Sequence, residues 1–107
     1  MNKTISAISS ASRKNLAQQA EARMSSRQIE CWRLIALGFT EDAMKKRMGI
    51  GNSTLRHLRS DVYSELRLEE DFIQDSSRRV LAALLYWLSS EERQHEIRDI
   101  LTRAELL

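Results

Sequence analysis

The sequence predicts an all-α domain. Proline is absent from the 107 residues, and the three glycines all fall between Gly38 and Gly51, so the residues that break helices are confined to one short part of the chain. Elsewhere apolar side chains recur every three or four residues, the spacing that gives a helix one apolar face. The length allows one small domain with one hydrophobic core.

Residues 1–23 are predicted to form a basic N-terminal arm. They are rich in Ser, Ala, Gln and Asn, and their only large apolar side chains are Ile5, Ile8 and Leu16. This composition is compatible with a flexible, disordered arm or with a loosely held helix over residues 12–23.

Three short helices are predicted between residues 24 and 68. The first begins at Ser26, carries apolar residues at three- and four-residue steps and ends at Gly38. The second covers 41–48 after Thr40, whose side chain can cap it. Its acidic first turn and basic last turn match the helix dipole.

The third helix is predicted from Asn52 or Ser53 to about residue 66. It has an inward apolar stripe and an opposite polar face that includes Ser64. The stripe consists of Leu55, Leu58, Val62 and Leu66.

Residues 69–107 are predicted to form a helical extension or hairpin. The segment "VLAALLYWL" is apolar on almost every side, and the following segment opens with a predicted capping box of Ser89 and Glu92. A three-helix unit covers only one face of an added helix, so we expect a homodimer to bury the remainder. The candidate dimer-interface residues are Val80, Leu84, Trp87, Leu88, Ile97 and Leu101.

The segment Gly49-Ile50-Gly51 is predicted to be a turn and not a nucleotide-binding loop. A G-x-G-x-x-G loop would need glycine where Thr54 stands, and no G-K-[ST] follows. As a turn, Gly49 ends the second helix in a left-handed conformation, Ile50 enters the core, and Gly51 lets the third helix start at a steep angle. Short helices joined in this way are typical of a helix-turn-helix.

Residues 25–68 resemble the LuxR/FixJ-type DNA-binding domain, whose pattern they follow without a gap. The resemblance implies a LuxR/FixJ-like helix-turn-helix core that binds DNA, in a free-standing regulator, since no receiver or ligand-binding domain precedes the motif. The chain departs from the family pattern at Gln28, Lys45, Gly51 and Leu58. The matching positions are Arg27, Glu30, Leu34, Ile35, Ala36, Gly38, Thr40, Ile50, Thr54, Arg56, Val62, Leu66 and Leu68.

The candidate DNA-binding residues lie on the third helix and at the end of the second. Arg56 occupies the family's lysine position and could bind guanine bidentately, with His57 and Ser60 on the same face. The third helix's N-terminus can hold a phosphate oxygen, or its side chains can act only as caps. The full set is Asn52, Ser53, Thr54, Arg56, His57, Ser60, Lys45 and Lys46.

Other classes of function are not indicated. No nucleophile with a nearby base, paired carboxylates or metal-ligand spacing is present, so we expect no enzyme, cofactor or metal. The single cysteine, Cys31, and the absence of an apolar leader in "MNKTISAISSASRKN" favour a reducing cytoplasm. The longest apolar run is nine residues, whereas a membrane span needs about 20.

The sequence therefore predicts a cytoplasmic, homodimeric transcription regulator that binds double-stranded DNA. The net charge is +3 for residues 1–23, +3 for 24–68 and −4 for 69–107. This distribution favours binding of a polyanion by the first two segments and not by the third. The alternative is a protein-interaction module, a co-activator, sigma-like factor or antagonist that uses the same scaffold to bind another regulator or RNA polymerase. The acidic, apolar last third of the chain favours that alternative.

Overall fold

The computed structural model describes residues 10–69 and 74–107, and within them the chain is entirely helical apart from turns and short connections. The predicted all-α fold class is thereby confirmed. The helices are α1 (Ser10–Arg23), α2 (Ser26–Ala36), α3 (Glu41–Met48), α4 (Asn52–Glu65), α5 (Asp75–Leu88) and α6 (Glu91–Arg103).

Helix α2 lies at the centre of the molecule and packs against both α4 and α5. Its start is fixed by a capping box in which Ser25 and Gln28 bond each other's backbone N–H groups. The first predicted helix begins at Ser26 as expected but ends at Ala36, with Leu37 and not Gly38 as its C-cap. The second has the expected bounds, and Thr40 caps α3 as predicted by accepting a hydrogen bond from Ala43 N. The largest fully buried side chains are Trp32, Ile35, Met44, Leu66, Val62 and Cys31.

Helix α1 belongs to this core, although the sequence suggested an arm or a loose helix. Ala17 and Ala20 are at most 1% exposed, and α1 packs on α4 and α5. Small side chains let the helices approach closely, so α1 is held without the large apolar stripe that its sequence lacks. The predicted arm residues Ile5 and Ile8 lie outside the described residues.

Helix α5 packs one of its faces directly onto α2. The indole of Trp32 donates to Ala82 O (2.8 Å), and the indole of Trp87 donates to Ala36 O (3.0 Å). Tyr86 lies between the two indoles and meets both edge to face, with ring centroids 5.1 and 5.0 Å away. The motif at 24–68 and the extension at 69–107 therefore share a single core.

The connection between α5 and α6 corrects one local prediction. The N-cap of α6 is Ser90, which accepts from Arg93 N, so the predicted capping box of Ser89 with Glu92 is wrong. Ser89 is buried instead and its hydroxyl donates to Tyr86 O (2.7 Å), closing the end of α5. A serine followed by a second serine offers two possible caps, and burial of the first selects the other.

Helix α6 has no fully buried residue, and its Ile97 packs partly buried against the core. Two ion pairs also join α6 to other helices. Arg33 binds Glu96 at 2.7 Å, and Arg93 binds Glu21 of α1. Hydrogen bonding to Glu96 and to the Tyr86 hydroxyl raises the pKa of Arg33, while hydrogen bonding to Arg33 lowers the pKa of Glu96. The Arg93 guanidinium also lies 4.0 Å from the Tyr86 ring centroid, a cation–π contact.

Over residues 10–69 and 74–107, every helix is too short or too polar to cross a membrane.

Candidate nucleic-acid interface

The candidate interface is built on the three-residue turn between α3 and α4. Gly49 has a left-handed backbone (φ 67°, ψ 42°), as predicted, and its N–H donates to Lys45 O. Ile50 N also donates to Lys45 O (3.1 Å), and the Ile50 side chain packs against the core. Gly51 differs from the prediction, because its backbone is extended (φ −94°, ψ −179°) and needs no glycine.

The inward face of α4 agrees with its predicted stripe. Leu55, Val62 and Leu66 are buried, and Leu58 is half-buried and packs against them. Tyr63 is buried as well, at the edge of the same face, where the sequence pattern gave no sign of it. This face fixes the rotation of α4, and with it the side that meets solvent.

The outward face of α4 carries the predicted polar residues. Arg56 and His57 are exposed and, among the described residues, have no hydrogen bond or ion pair. The hydroxyl residues in this set are also exposed and form no side-chain hydrogen bond in the described part of the chain. These are Ser53, Thr54 and Ser60. The structure therefore gathers five predicted contact residues on one accessible surface, which we call the α4 outer face.

The two predicted lysines of α3 have different surroundings. Lys45 binds Asn52 Oδ1 (2.6 Å) and Asp42 Oδ1 (3.1 Å), so it ties α3 to the first residue of α4. Asn52 is engaged in the same contact. Lys46 is exposed and, within the described residues, unpaired. Lys46 is thus available to a ligand, whereas Lys45 and Asn52 stabilise the turn.

Three polar contacts hold the α2–α3–α4 unit in its shape. Arg27 Nη2 donates to Met48 O (3.0 Å), which gives the last carbonyl of α3 a partner. Gln28 Nε2 donates to Asp61 Oδ2 (3.2 Å), and Arg59 pairs with Glu41. All three join different helices, so they set how α3 and α4 are oriented relative to α2.

A surface cleft of about 220 Å³ lies beside the α4 outer face. Among the described residues, three arginines and three others line it, and one of the arginines comes from α5, outside the predicted motif. The lining residues are Arg56, Arg59, Ser60, Tyr63, Glu69 and Arg78. We call this the arginine cleft. Its α5 member could not be found from sequence, because nothing in the pattern says which face of α5 turns toward α4.

The predicted dimer residues divide into exposed and buried sets. Val80, Leu84 and Leu88 are 58, 51 and 45% exposed, and Leu81 lies on the same side of α5. These four form what we call the α5 stripe. Trp87, also predicted for the interface, is only 8% exposed and packs within its own chain, where its indole donates to Ala36 O. Ile97 and Leu101 of α6 are half-buried.

The side chains of the α4 outer face are open to solvent and can bind a ligand through ion pairs and hydrogen bonds. The described side chains include no group of three or more His, Cys, Asp and Glu residues placed to share a metal ion. Comparison of the chain with protein-family models, with curated proteins and with solved structures finds no match.

Proposed function

We propose that the chain is a cytoplasmic transcription regulator that binds double-stranded DNA sequence-specifically as a homodimer. The observation that carries the proposal is the α4 outer face, where Arg56 and His57 are accessible and unpaired among the described residues, on a helix that a short turn joins to α3. In a helix-turn-helix of LuxR/FixJ-like type the second helix enters the major groove and the first crosses the backbone. These would be α4 and α3.

The charges support this orientation. Lys46 and Arg47, at the end of α3, are exposed and unpaired within the described part of the chain. They would neutralise phosphates that flank the groove, while Arg56 reads a base edge. The C-terminal segment 69–107 has a net charge of −4 and would be repelled by the same phosphates.

The homodimer would form through the α5 stripe. Four exposed apolar side chains in one row on a helix need a cover in a protein of this size. A two-fold interface is self-complementary and places two copies of α4 on one side of the assembly. Half-sites about one helical turn apart, roughly 10 base pairs, would follow.

A second candidate is the interaction module that binds RNA polymerase or another regulator. Two observations favour it: the α5 stripe is open to any apolar partner, and Lys45 and Arg59 are already neutralised by Asp42 and Glu41. This leaves less positive charge for DNA than the sequence count suggests. Only the transcription regulator should bind DNA with an affinity that depends on phosphate neutralisation; the interaction module should not.

The test is a binding titration with the full chain. Duplexes selected from a random pool, and random duplexes as reference, are titrated at several salt concentrations. Phosphate neutralisation predicts that log affinity falls with log salt at about −0.9 per contacted phosphate. Lys46→Ala should make the slope shallower. The matched control is Arg98→Ala, which removes an exposed arginine on α6, outside the proposed DNA-binding helices, and should leave the slope unchanged. A flat salt response and no selected sequence would favour the interaction module.

A further inference from the structure

Helix α6 is attached to the rest of the chain differently from α5. Two buried tryptophans bond α5 to α2, Trp32 through Ala82 O and Trp87 through Ala36 O. Helix α6 has no fully buried residue, and its Ile97 is only partly buried against the core. Its ion pairs with α1 and α2 are made by two charged side chains, one acidic and one basic.

The basic side chain, Arg93, enters a notch formed by the other helices. Its guanidinium lies 4.0 Å from the centroid of the Tyr86 ring and 5.5 Å from the centroid of the Trp32 ring. The same group pairs with Glu21 of α1, and its Nη1 donates to Ser89 Oγ (2.7 Å). Two aromatic rings at an angle of 88°, a carboxylate and a hydroxyl thus surround one guanidinium. We call these four surrounding residues the aromatic notch.

The acidic side chain, Glu96, lies one turn further along α6. It pairs with Arg33 of α2 at 2.7 Å, and Arg33 also donates to the Tyr86 hydroxyl (2.7 Å). Arg93, Glu96 and Ile97 follow the spacing i, i+3, i+4, so all three lie on one side of α6. Both ion pairs are partly exposed, and ion pairs of this kind contribute little to stability and are weakened by salt.

Helix α6 covers aromatic surface that would otherwise meet water. Tyr86 is 2% exposed and Trp32 is 0% exposed, and Arg93 lies over both rings. Tyr86 is on the side of α5 that packs on α2, whereas the α5 stripe is on its open side. Removal of α6 would therefore uncover a second apolar surface, separate from the stripe.

We propose that α6 is a releasable strap, docked by charge, that opens as a unit while the other helices stay folded when salt screens its ion pairs. Its opening exposes the two rings of the aromatic notch. Burial and indole hydrogen bonds hold α5, and salt does not screen these contacts in the same way, so α5 stays in place. The strap needs no DNA to open, so it stands or falls separately from the proposed function.

Hydrogen exchange of the full chain, followed residue by residue by NMR, measures the opening of each helix. Amides 95–101 report on the strap, and amides in the middle of α2 and α5 report on the core. At low salt the strap amides should exchange faster than the core amides by a factor of about 10 or more. Raising sodium chloride from about 50 mM to about 500 mM should speed strap exchange by a further factor of about 3 to 10 and leave the core unchanged. Glucose at equal osmolality is the uncharged reference and should have no such effect.

Three variants make the same chemical change at different places: Arg93→Gln, Arg33→Gln and Arg98→Gln. Each removes one positive charge, and glutamine has a helix propensity similar to that of arginine. Arg93→Gln should speed strap exchange by a factor of about 10, since ring contacts are lost with the ion pair, and Arg33→Gln by about 2 to 5. Both should reduce the effect of salt on the strap. Arg98 is exposed and its side chain has no bond within the described residues, so Arg98→Gln is the matched control and should exchange like the native chain.

Strap and core amides that exchange at one common rate at every salt concentration would overturn the proposal, because α6 would then open only when the whole chain unfolds. Fast strap exchange that neither salt nor Arg93→Gln alters would overturn it as well, since charge would not hold α6. Circular dichroism shows whether each variant is folded. If Arg93→Gln does not fold, the salt dependence of the native chain and of Arg33→Gln still decides between these outcomes.

Discussion

Replacing Gly51 by serine should stabilise the fold, whereas replacing Gly49, two residues earlier, by alanine should destabilise it. Both glycines belong to the turn that orients α4, and the sequence alone assigns both a conformational role. The structure gives them different backbones: φ is 67° at Gly49 and −94° at Gly51. A Cβ atom added at either position meets nothing within 4 Å. The expected signs therefore come from the backbone and not from crowding.

The magnitudes can be worked out for each site. At Gly49 an L-residue in the left-handed region costs about 1–2 kcal/mol, and the reduced freedom of the unfolded chain offsets about 0.4–1 kcal/mol. The net loss is about 1 kcal/mol. At Gly51 only the favourable effect on the unfolded chain remains. A serine hydroxyl there can also accept a hydrogen bond from the N–H of Ser53 or Thr54, which adds a few tenths of a kcal/mol. The expected gain is about 0.5–1.5 kcal/mol.

Urea and thermal unfolding of the full chain, followed by circular dichroism, measure both changes. A difference of 1 kcal/mol moves the midpoint of a domain of this size by about 4 °C. Gly38→Ala is the matched control, since Gly38 also has a positive φ (82°) but follows α2 and lies outside the turn between α3 and α4. A destabilised Gly51→Ser protein, or a Gly49→Ala protein as stable as the native chain, would refute this account of the turn.

Four further outcomes are expected. Arg56→Ala should weaken binding of a selected duplex by about 1–3 kcal/mol with little change in thermal midpoint; an equal loss on random duplexes would make it a phosphate contact. Lys45→Ala should lower the unfolding midpoint more than Lys46→Ala, because only Lys45 binds Asp42 and Asn52; equal midpoints would contradict the scaffold role. Leu84→Asp should give a monomer in light scattering while the helical signal persists; an unchanged mass would remove the α5 stripe from the interface. Burial raises the pKa of the Cys31 thiol to about 11. The folded state keeps this proton where the unfolded state loses it, so native stability should fall relative to Cys31→Ala as pH rises from about 9 toward 11; parallel pH profiles would argue against it.

The helices of the motif could be predicted from sequence because their signals are local. Thr40 and Gly49 mark the two ends of α3, and the apolar stripe of α4 fixes which side turns inward. The predicted contact residues on the α4 outer face are exposed for the same reason. Whether they contact DNA stays a prediction, since exposure permits a contact without specifying its partner.

The remaining features depend on contacts between distant segments. Trp87 was expected at an interface because α5 is apolar on nearly every side, and such a helix does not reveal which side meets its own core. The pairing of Lys45 with Asn52 and the place of Arg78 beside α4 likewise require the tertiary arrangement. Helix α1 packs through alanines, and alanine is too common in exposed helices to indicate burial.

The two sides of α5 explain why a helix with so much apolar surface occurs in a small chain. Trp32 of α2 has 0% exposure, and it reaches that burial only because Ala82 and Tyr86 of α5 lie against it. The α2–α3–α4 unit alone would expose this ring to water, so the stabilisation from the apolar area that α5 covers would be lost. One side of α5 is thus required by the fold of a single copy, and the α5 stripe on the other side is free to serve association. Substitutions on the side of α5 that packs on α2 should affect folding stability more than binding. Substitutions on the α5 stripe should affect binding more than folding stability.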